Sequence, residues 1–227
     1  MRKPTKKGTS VLVKSFTDLF LEYSQDAESP ESFFRWSSYA CIAAVMRDNC
    51  WVNLHLKKVW PNIYVLLFAK SAALRKGTPL QLTKSLVAKI GNTRIIAGRT
   101  SMQAVIRDLS ETETDKVTGK IVKGAAALLL TEELSSFSPE DPATIPLLTD
   151  LYDNHETWDS NLKSEGKRRL ENTCITLLAA TNETLFRTVY TGLAIRGGLL
   201  GRTFVIKEQH RRCADSLMYV DGSKYNN

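Results

Sequence analysis

The sequence has no apolar run approaching the roughly 20 residues that a membrane helix needs, so no spanning segment and no membrane partner are expected. Its basic opening, MRKPTKKGTS, is followed by no continuous apolar stretch, so a secretory leader is not expected either. Cysteine is sparse. The four residues Cys41, Cys50, Cys174 and Cys213 form no CxxC pair, and no histidine stands at zinc-ligand spacing from them. Cys41 and Cys174 lie in apolar runs and read as reduced, buried thiols, which fits a reducing cytosol. Internal repeats and low-complexity blocks are also missing, which excludes a solenoid.

What is present fits one globular domain. With 227 residues, 43% of them hydrophobic, the chain can bury a sizeable core. Lys and Arg total 31 against 24 Asp and Glu, a net charge of +7 that permits contact with a polyanion without requiring it. The excess gathers at Arg2, Lys3, Lys6 and Lys7, and again at Lys207, Arg211 and Arg212.

Spacing of the apolar residues predicts the elements. Leu12, Phe16, Leu19, Phe20 and Tyr23 fall on one helical face over 12–25. Ser29-Pro30-Glu31 signals a second helix over 30–48, with Ser29 as its cap and Phe33, Trp36, Ala40, Ala43 and Ala44 on its packed face. Residues 50–57 alternate as a half-buried strand bearing His55, which has no nearby catalytic partner in the sequence. Residues 62–68, 125–130 and 172–180 are nearly continuous apolar runs, the pattern of strands buried on both faces of a parallel sheet. Shorter strands are expected at 94–97 and 203–206. Helices are expected from the 70s to Gly91 and over 101–110 and 143–153, with a loop or exposed hairpin at 111–124 and a turn at 138–142. Strands alternating with helices predict an α/β fold with a mostly parallel sheet and an N-terminal helical extension. The expected divisions are a basic tail and helix over 1–27, the main domain over 28–208 and a polar tail over 209–227.

Ligands of such sheets bind beyond the carboxyl ends of the strands, so the polar residues there are the candidates. After the 62–68 strand come Ser71, Ala72, Arg75, Lys76, Gly77 and Thr78, then a helix. A phosphate loop needs this arrangement: small residues so that backbone N–H groups can wrap the anion, a cation for the β and γ phosphates, and a hydroxyl for magnesium. Lys76 is the candidate cation and Thr78 the magnesium hydroxyl. The match to GxxxxGK[ST] is not strict, because Ala69 and Leu74 stand at glycine positions and Arg75 at the lysine position. A plain strand–loop–helix connection with exposed basic residues gives the same sequence.

Three further strand ends carry polar groups. Thr131-Glu132-Glu133 follows an apolar strand as a Walker B element does, with Glu133 to orient attacking water and Glu132 or Thr131 near the metal; a solvated strand end reads alike. Thr181-Asn182 suits a γ-phosphate sensor, and Asn182 suits a helix N-cap equally. The glycine-rich turn 197–201 leads to Arg202, a candidate arginine finger for its own or a neighbouring site, with Arg196 the other choice; a surface arginine at a turn is the simpler reading. Basic residues at 163–169 would either track a DNA strand or form a solvated loop.

Over about 28–208 the chain resembles a family of phage, plasmid and bacterial P-loop proteins that carry a domain of unknown function and occur beside or fused to primases and replicative helicases. The resemblance rests on PESFFRWSSYACIAAVMRDNCWVNL, WPNIYVLLFAKSAALRKGTPL, LLLTEELSSF, LLTDLYDNHETW, NTCITLLAATNETLF and GGLLGRTFVI. Arg75-Lys76-Gly77-Thr78 matches the family's loop, whereas Ala69 and Ala72 replace its glycines. The resemblance implies a three-layer RecA-like or AAA-like P-loop NTPase core, ATP and Mg2+ as cofactors, and homo-oligomers with nucleotide at subunit interfaces. It supports Glu133 as the Walker B acid, Asn182 as sensor and the turn before Arg202 as part of the site. The expected function is a DNA-dependent ATPase of helicase, loader or recombinase type in phage or plasmid replication or recombination. Its expected partners are single-stranded DNA and replication proteins such as primase or helicase. The alternative is a DNA-binding or scaffold subunit that keeps the fold without turnover.

Overall fold

The computed structural model describes residues 13–70, 74–98, 100–111, 113–114, 119, 121–122, 124–133, 144–162, 166–189 and 198–212. The expected turn at 138–142, the 1–10 tail, Arg196 and the end of the polar tail fall outside them.

Helix α1 (Phe16–Tyr23) starts four residues into the stretch that periodicity marked, because Ser15 closes a capping box with Asp18. Its Phe20 packs on Phe34 of α2 (Glu31–Met46), and the Ser38 hydroxyl donates to Thr17 Oγ1 at 3.0 Å. The expected cap of α2 is corrected. Pro30 occupies the N-cap position, and the buried Ser29 hydroxyl donates to the Arg75 carbonyl at 2.8 Å. Ser29 thus joins the start of α2 to the loop after the first sheet strand.

The half-buried strand expected at 50–57 is also corrected. It is an exposed hairpin of β1 (Val52–Leu54) and β2 (Lys57–Val59). The chain reverses at His55-Leu56, with His55 left-handed at φ 51°. No Gly or Asn marks that turn, so alternation alone read through it.

The centre is a five-stranded sheet built from β3 (Tyr64–Phe68), β4 (Arg94–Ala97), β7 (Ala126–Thr131), β10 (Cys174–Thr181) and β11 (Thr203–Lys207). All its neighbours pair in parallel, in the order β11-β3-β10-β7-β4. Counted along the chain, the five sheet strands lie in the order 5-1-4-3-2. The short antiparallel pair β5 (Glu113–Thr114) and β6 (Ile121–Val122) occupies the segment expected as a loop or hairpin. A second hairpin, β8 (Thr157–Leu162) with β9 (Gly166–Glu171), precedes β10.

Successive residues of the central strands feed opposite faces, as strand geometry requires. Val65, Leu67, Leu128, Leu130, Leu178 and Ala180 pack against α2 and α3 (Gly77–Ile90). Tyr64, Leu66, Leu129, Ile175, Leu177 and Ala179 pack against α4 (Met102–Ser110) and α5 (Thr144–Tyr152). The result is three layers, helix on sheet on helix. Each fully buried Leu, Val or Ile contributes about 1.5–3 kcal/mol relative to exposure, so these continuous apolar runs hold the sheet between its helices. Helix α3 carries the chain from β3 across to β4 on one face. Helices α4 and α5 carry it back through β7 to β10 on the other. Direction and face reverse together, so these crossovers share one hand. Among the described residues no helix is long and apolar enough to cross a membrane.

Candidate functional site

Sheet order selects the place to look. The connection leaving β3 runs toward β4, while the one leaving the adjacent β10, through α6 (Glu183–Val189), runs toward β11 on the opposite edge. Neighbouring strands whose connections diverge leave a crevice beyond their carboxyl ends, where open α/β sheets bind ligands. A cleft of about 220 Å³ lies there, lined by Arg75, Lys76, Gly77, Glu132, Glu133, Thr181 and Asn182. Residues from three separated segments, each named from its strand end, therefore meet in one place.

The loop leaves β3 at the buried Ala69, whose N–H donates to the Thr181 carbonyl at 3.3 Å. Ser71 and Ala72, expected to wrap the phosphates, lie outside the described residues. Lys76 turns back across the loop and donates from Nζ to the carbonyls of Ala69 and Lys70 at 3.1 and 3.2 Å. Its pKa is lowered because burial disfavours the ammonium, against the opposing charge of Glu133. An incoming anion would restore what burial takes away. Arg75 stands in the left-handed region at φ 45°. Its Nε lies 3.1 Å from Glu28 Oε2, and the same carboxylate lies 3.3 Å from Arg211.

Helix α3 opens at Gly77 with no side chain capping it; the Thr78 N–H donates to the Arg75 carbonyl at 3.0 Å, and Gly77, at the positive dipole end, lines the cleft. A Cβ on Gly77 would sit 3.3 Å from Glu132 Oε1. The glycine therefore lets a carboxylate approach the helix start closely. Gln81, one turn further on, steadies that carboxylate with an Nε2 donation to Oε1 at 3.2 Å. Thr78 is at the helix start but exposed, and it does not line the cleft. Beyond β7, the Glu133 N–H donates to Thr131 Oγ1 at 3.2 Å, and that hydroxyl donates to the Glu133 carbonyl at 2.7 Å. This small turn fixes where both glutamates leave the strand.

Asn182 takes the helix-cap role, its Oδ1 accepting from Leu185 N at 3.0 Å, while the residue also borders the cleft. Arg202 is the candidate that the fold does not bring in. It precedes β11 at the amino end of the sheet, with Thr203 beside Tyr64. Its guanidinium is held by both carboxylate oxygens of Asp153, at 3.0 and 2.8 Å. Its place in its own chain's site is therefore corrected: β11 is parallel to β3, so the residue before it lies a full strand length from the cleft.

The sequence reading missed the supports around the loop: Glu28 and Ser29, which hold Arg75, and Gln81, which holds Glu132. The Ser-Pro-Glu signal at 29–31 pointed to a helix start and masked the loop contact. Among the described residues no group of three or more His, Cys, Asp or Glu is placed to hold a metal ion. The residues lining the cleft include two with cationic side chains, two with carboxylates and one with an amide, a set that can meet an anion. No protein-family model matches the chain, and no curated protein matches it.

Proposed function

We propose that the cleft between β3 and β10 binds a nucleoside triphosphate with magnesium, and that the protein is a P-loop-type, DNA-dependent ATPase acting in phage or plasmid DNA replication or recombination. The observation that carries the proposal is the convergence of Arg75, Lys76 and Gly77 with Glu132, Glu133 and Asn182 at the sheet's switch point. The 5-1-4-3-2 order, with the loop-bearing strand inside the sheet, agrees with the RecA-like or AAA-like core that the sequence resemblance implies.

In this reading Lys76 leaves the carbonyls of Ala69 and Lys70 for the β and γ phosphates, and the N–H groups opening α3 hold phosphate oxygens. Thr78 and Glu132 would hold the magnesium, with phosphate oxygens and water completing its shell. The carboxylate that Gly77 admits beside the helix start fits such a pairing. Magnesium would screen the phosphate charge. Glu133 orients the attacking water and accepts its proton, and Asn182, held by its cap to α6, turns its amide toward the γ-phosphate. Arg202, if it acts, does so in a neighbouring subunit of a homo-oligomer.

Magnesium-ATP binding, then hydrolysis with and without single-stranded DNA, tests the assignment. Lys76→Ala is expected to remove nucleotide binding. Glu133→Gln is expected to keep binding and lose turnover by about a hundredfold or more, the scale of general-base removal. Unchanged hydrolysis in both variants would overturn it. A second reading, a DNA-binding or scaffold subunit without turnover, is favoured by Thr78 standing exposed outside the cleft and by the alanine at 69. It predicts salt-sensitive DNA binding with no nucleotide binding.

A further inference from the structure

Most of the large apolar side chains that stand exposed among the described residues gather in two patches, and the two have opposite shapes. One is concave. Helices α1 and α3 both pack on α2, and a groove of about 1000 Å³ remains between them. Leu19 and Tyr23 of α1 and Leu82 and Leu86 of α3 line it. The other patch is convex. On the β1–β2 hairpin, Val52 and Leu54 share one face with Val59 and are 63% and 59% exposed, and Leu56 at the turn is fully exposed. Trp51 is exposed at the hairpin's base, with Lys58 Nζ 5.3 Å from the centre of its ring.

Contiguous exposed apolar surface marks an interaction site, and a two-stranded hairpin with nothing packed on it is marginal in water. A small-molecule pocket gathers a few polar groups at one point. Here the two charged residues that line the groove stand apart, Glu22 on α1 and Lys89 on α3. Charge narrows the choice of occupant. Residues 51–59 carry Lys57 and Lys58 and no acid, whereas α1 carries Asp18 and Glu22 and no base. Two hairpins face to face would set lysine against lysine. Two grooves face to face would set the α1 carboxylates together and leave both apolar floors uncovered. A hairpin in a groove matches shape and sign at once. The groove lies on the α2 and α3 layer. The hairpin of the same chain is anchored before the amino end of β3, beside the α5–β8 connection, where the Trp60 N–H donates to Asn154 Oδ1 at 3.2 Å and Lys58 lies 3.8 Å from Glu156. The contact therefore joins two copies of the chain.

We propose that the β1–β2 hairpin of one copy seats in the α1/α3 groove of a second copy, with Leu54 and Leu56 against Leu19, Tyr23, Leu82 and Leu86, and Lys57 at Glu22. Lys14 holds Glu22 Oε2 at 2.6 Å, and Lys57 takes the other oxygen of that exposed carboxylate. The two surfaces differ, so the interface is heterologous. Each copy offers one hairpin and one groove, and the contact repeats head to tail into a ring or an open filament. The interface lies away from the cleft between β3 and β10, and it does not rest on the nucleotide reading of that cleft.

The test is sedimentation of the full chain over a range of concentrations, without nucleotide, for the natural sequence and for two variants at exposed positions. Leu56→Asp breaks the hairpin tip and Leu19→Lys breaks the groove. The natural chain is expected to grow in mass with concentration. Each variant alone is expected to associate at least about tenfold more weakly, the loss that follows removal of one central apolar anchor. Mixed together, the two variants are expected to form a one-to-one pair and grow no further, because one intact hairpin meets one intact groove. A mixture that stayed monomeric would overturn the proposal. So would Leu56→Asp assembling as the natural chain does, which places the contact on another face. A natural chain that stayed monomeric would overturn it as well, even if it bound lipid vesicles or DNA through Leu56. If either variant fails to fold, the exposed pair still decides: Lys57→Glu is expected to weaken association, and adding Glu22→Lys in the same chain to restore it.

Discussion

Arg75 shows how much one loop residue is made to carry. Its left-handed backbone costs about 1–2 kcal/mol relative to glycine. The carbonyl of that strained unit is held by Ser29 and its guanidinium by Glu28, both from the segment before α2. The ion pair is largely exposed on the arginine side and is worth only about 0–1 kcal/mol. Strain and support therefore nearly cancel. Arg75→Gly is expected to leave stability within about 1 kcal/mol of the natural protein, measured by denaturant unfolding. The same variant should bind tripolyphosphate more weakly, because a cation lining the cleft has gone. Unaltered tripolyphosphate affinity would mean that Arg75 serves Glu28 and not the ligand. The position also accommodates arginine where the loop's pattern calls for lysine: Glu28 holds its Nε, and the next residue, Lys76, brings a second cation to the cleft lining.

At the scale of elements, the buried strands were the most legible part of the chain and the exposed hairpins the least. Strands β3, β7 and β10 read directly from Tyr64–Phe68, Ala126–Thr131 and Cys174–Thr181, because burial on both faces leaves the runs nearly continuous, with the buried Thr176 inside β10 the one Ser or Thr before the strand ends. The candidate site was legible for the same reason: its polar residues stand where those runs stop. Arg202 was misplaced because a glycine-rich turn before a strand marks the amino end of a parallel sheet, not the carboxyl end. The β8–β9 hairpin was missed because only Trp158 and Leu170 turn inward among polar neighbours, too sparse a pattern to register as alternation. The described part of the basic stretch lies on β9 of that hairpin, with Lys167 and Arg169 exposed and Arg169 paired to Asp159 across the strands. A ribbon presents its charges in a fixed row, which suits tracking a phosphate backbone. Replacing Lys167 and Arg169 by alanine is expected to weaken single-stranded DNA binding. The slope of log affinity against log salt should become shallower by about 0.7 for each phosphate left without its cation. An unchanged slope would assign these residues to solvent.

The whole molecule is joined at both ends of its sheet, and the two junctions do different work. At the carboxyl end, Glu28 gathers Arg75 and Arg211, and Ser32 donates to Glu208, so the segment after β11 is tied back to the start of α2 beside the candidate site. At the amino end, Asp153 beyond α5 grips Arg202 before β11, where Tyr64 and Tyr152 pack edge to face. This second junction fastens the edge strand to the helix layer. The Arg202 guanidinium, by hydrogen bond and charge, holds the Asp153 carboxyl below its ordinary value of 3.8. A carboxyl lowered in the folded state stabilises the fold fully at pH values above its unfolded pKa. It loses that contribution as pH falls through the folded pKa, below 3.8. Asp153→Asn removes the titration and should be less stable at neutral pH. The difference in melting temperature between the natural protein and Asp153→Asn is therefore expected to hold from pH 7 to about 5, and to close as the buffer is taken below the ordinary carboxyl range. Nucleotide affinity at neutral pH should be the same in both, since the junction lies a strand length from the cleft. A gap that persisted undiminished into acid would show that Asp153 acts by packing rather than by charge. Lost nucleotide binding in the variant would show that the edge strand carries its position through to the site.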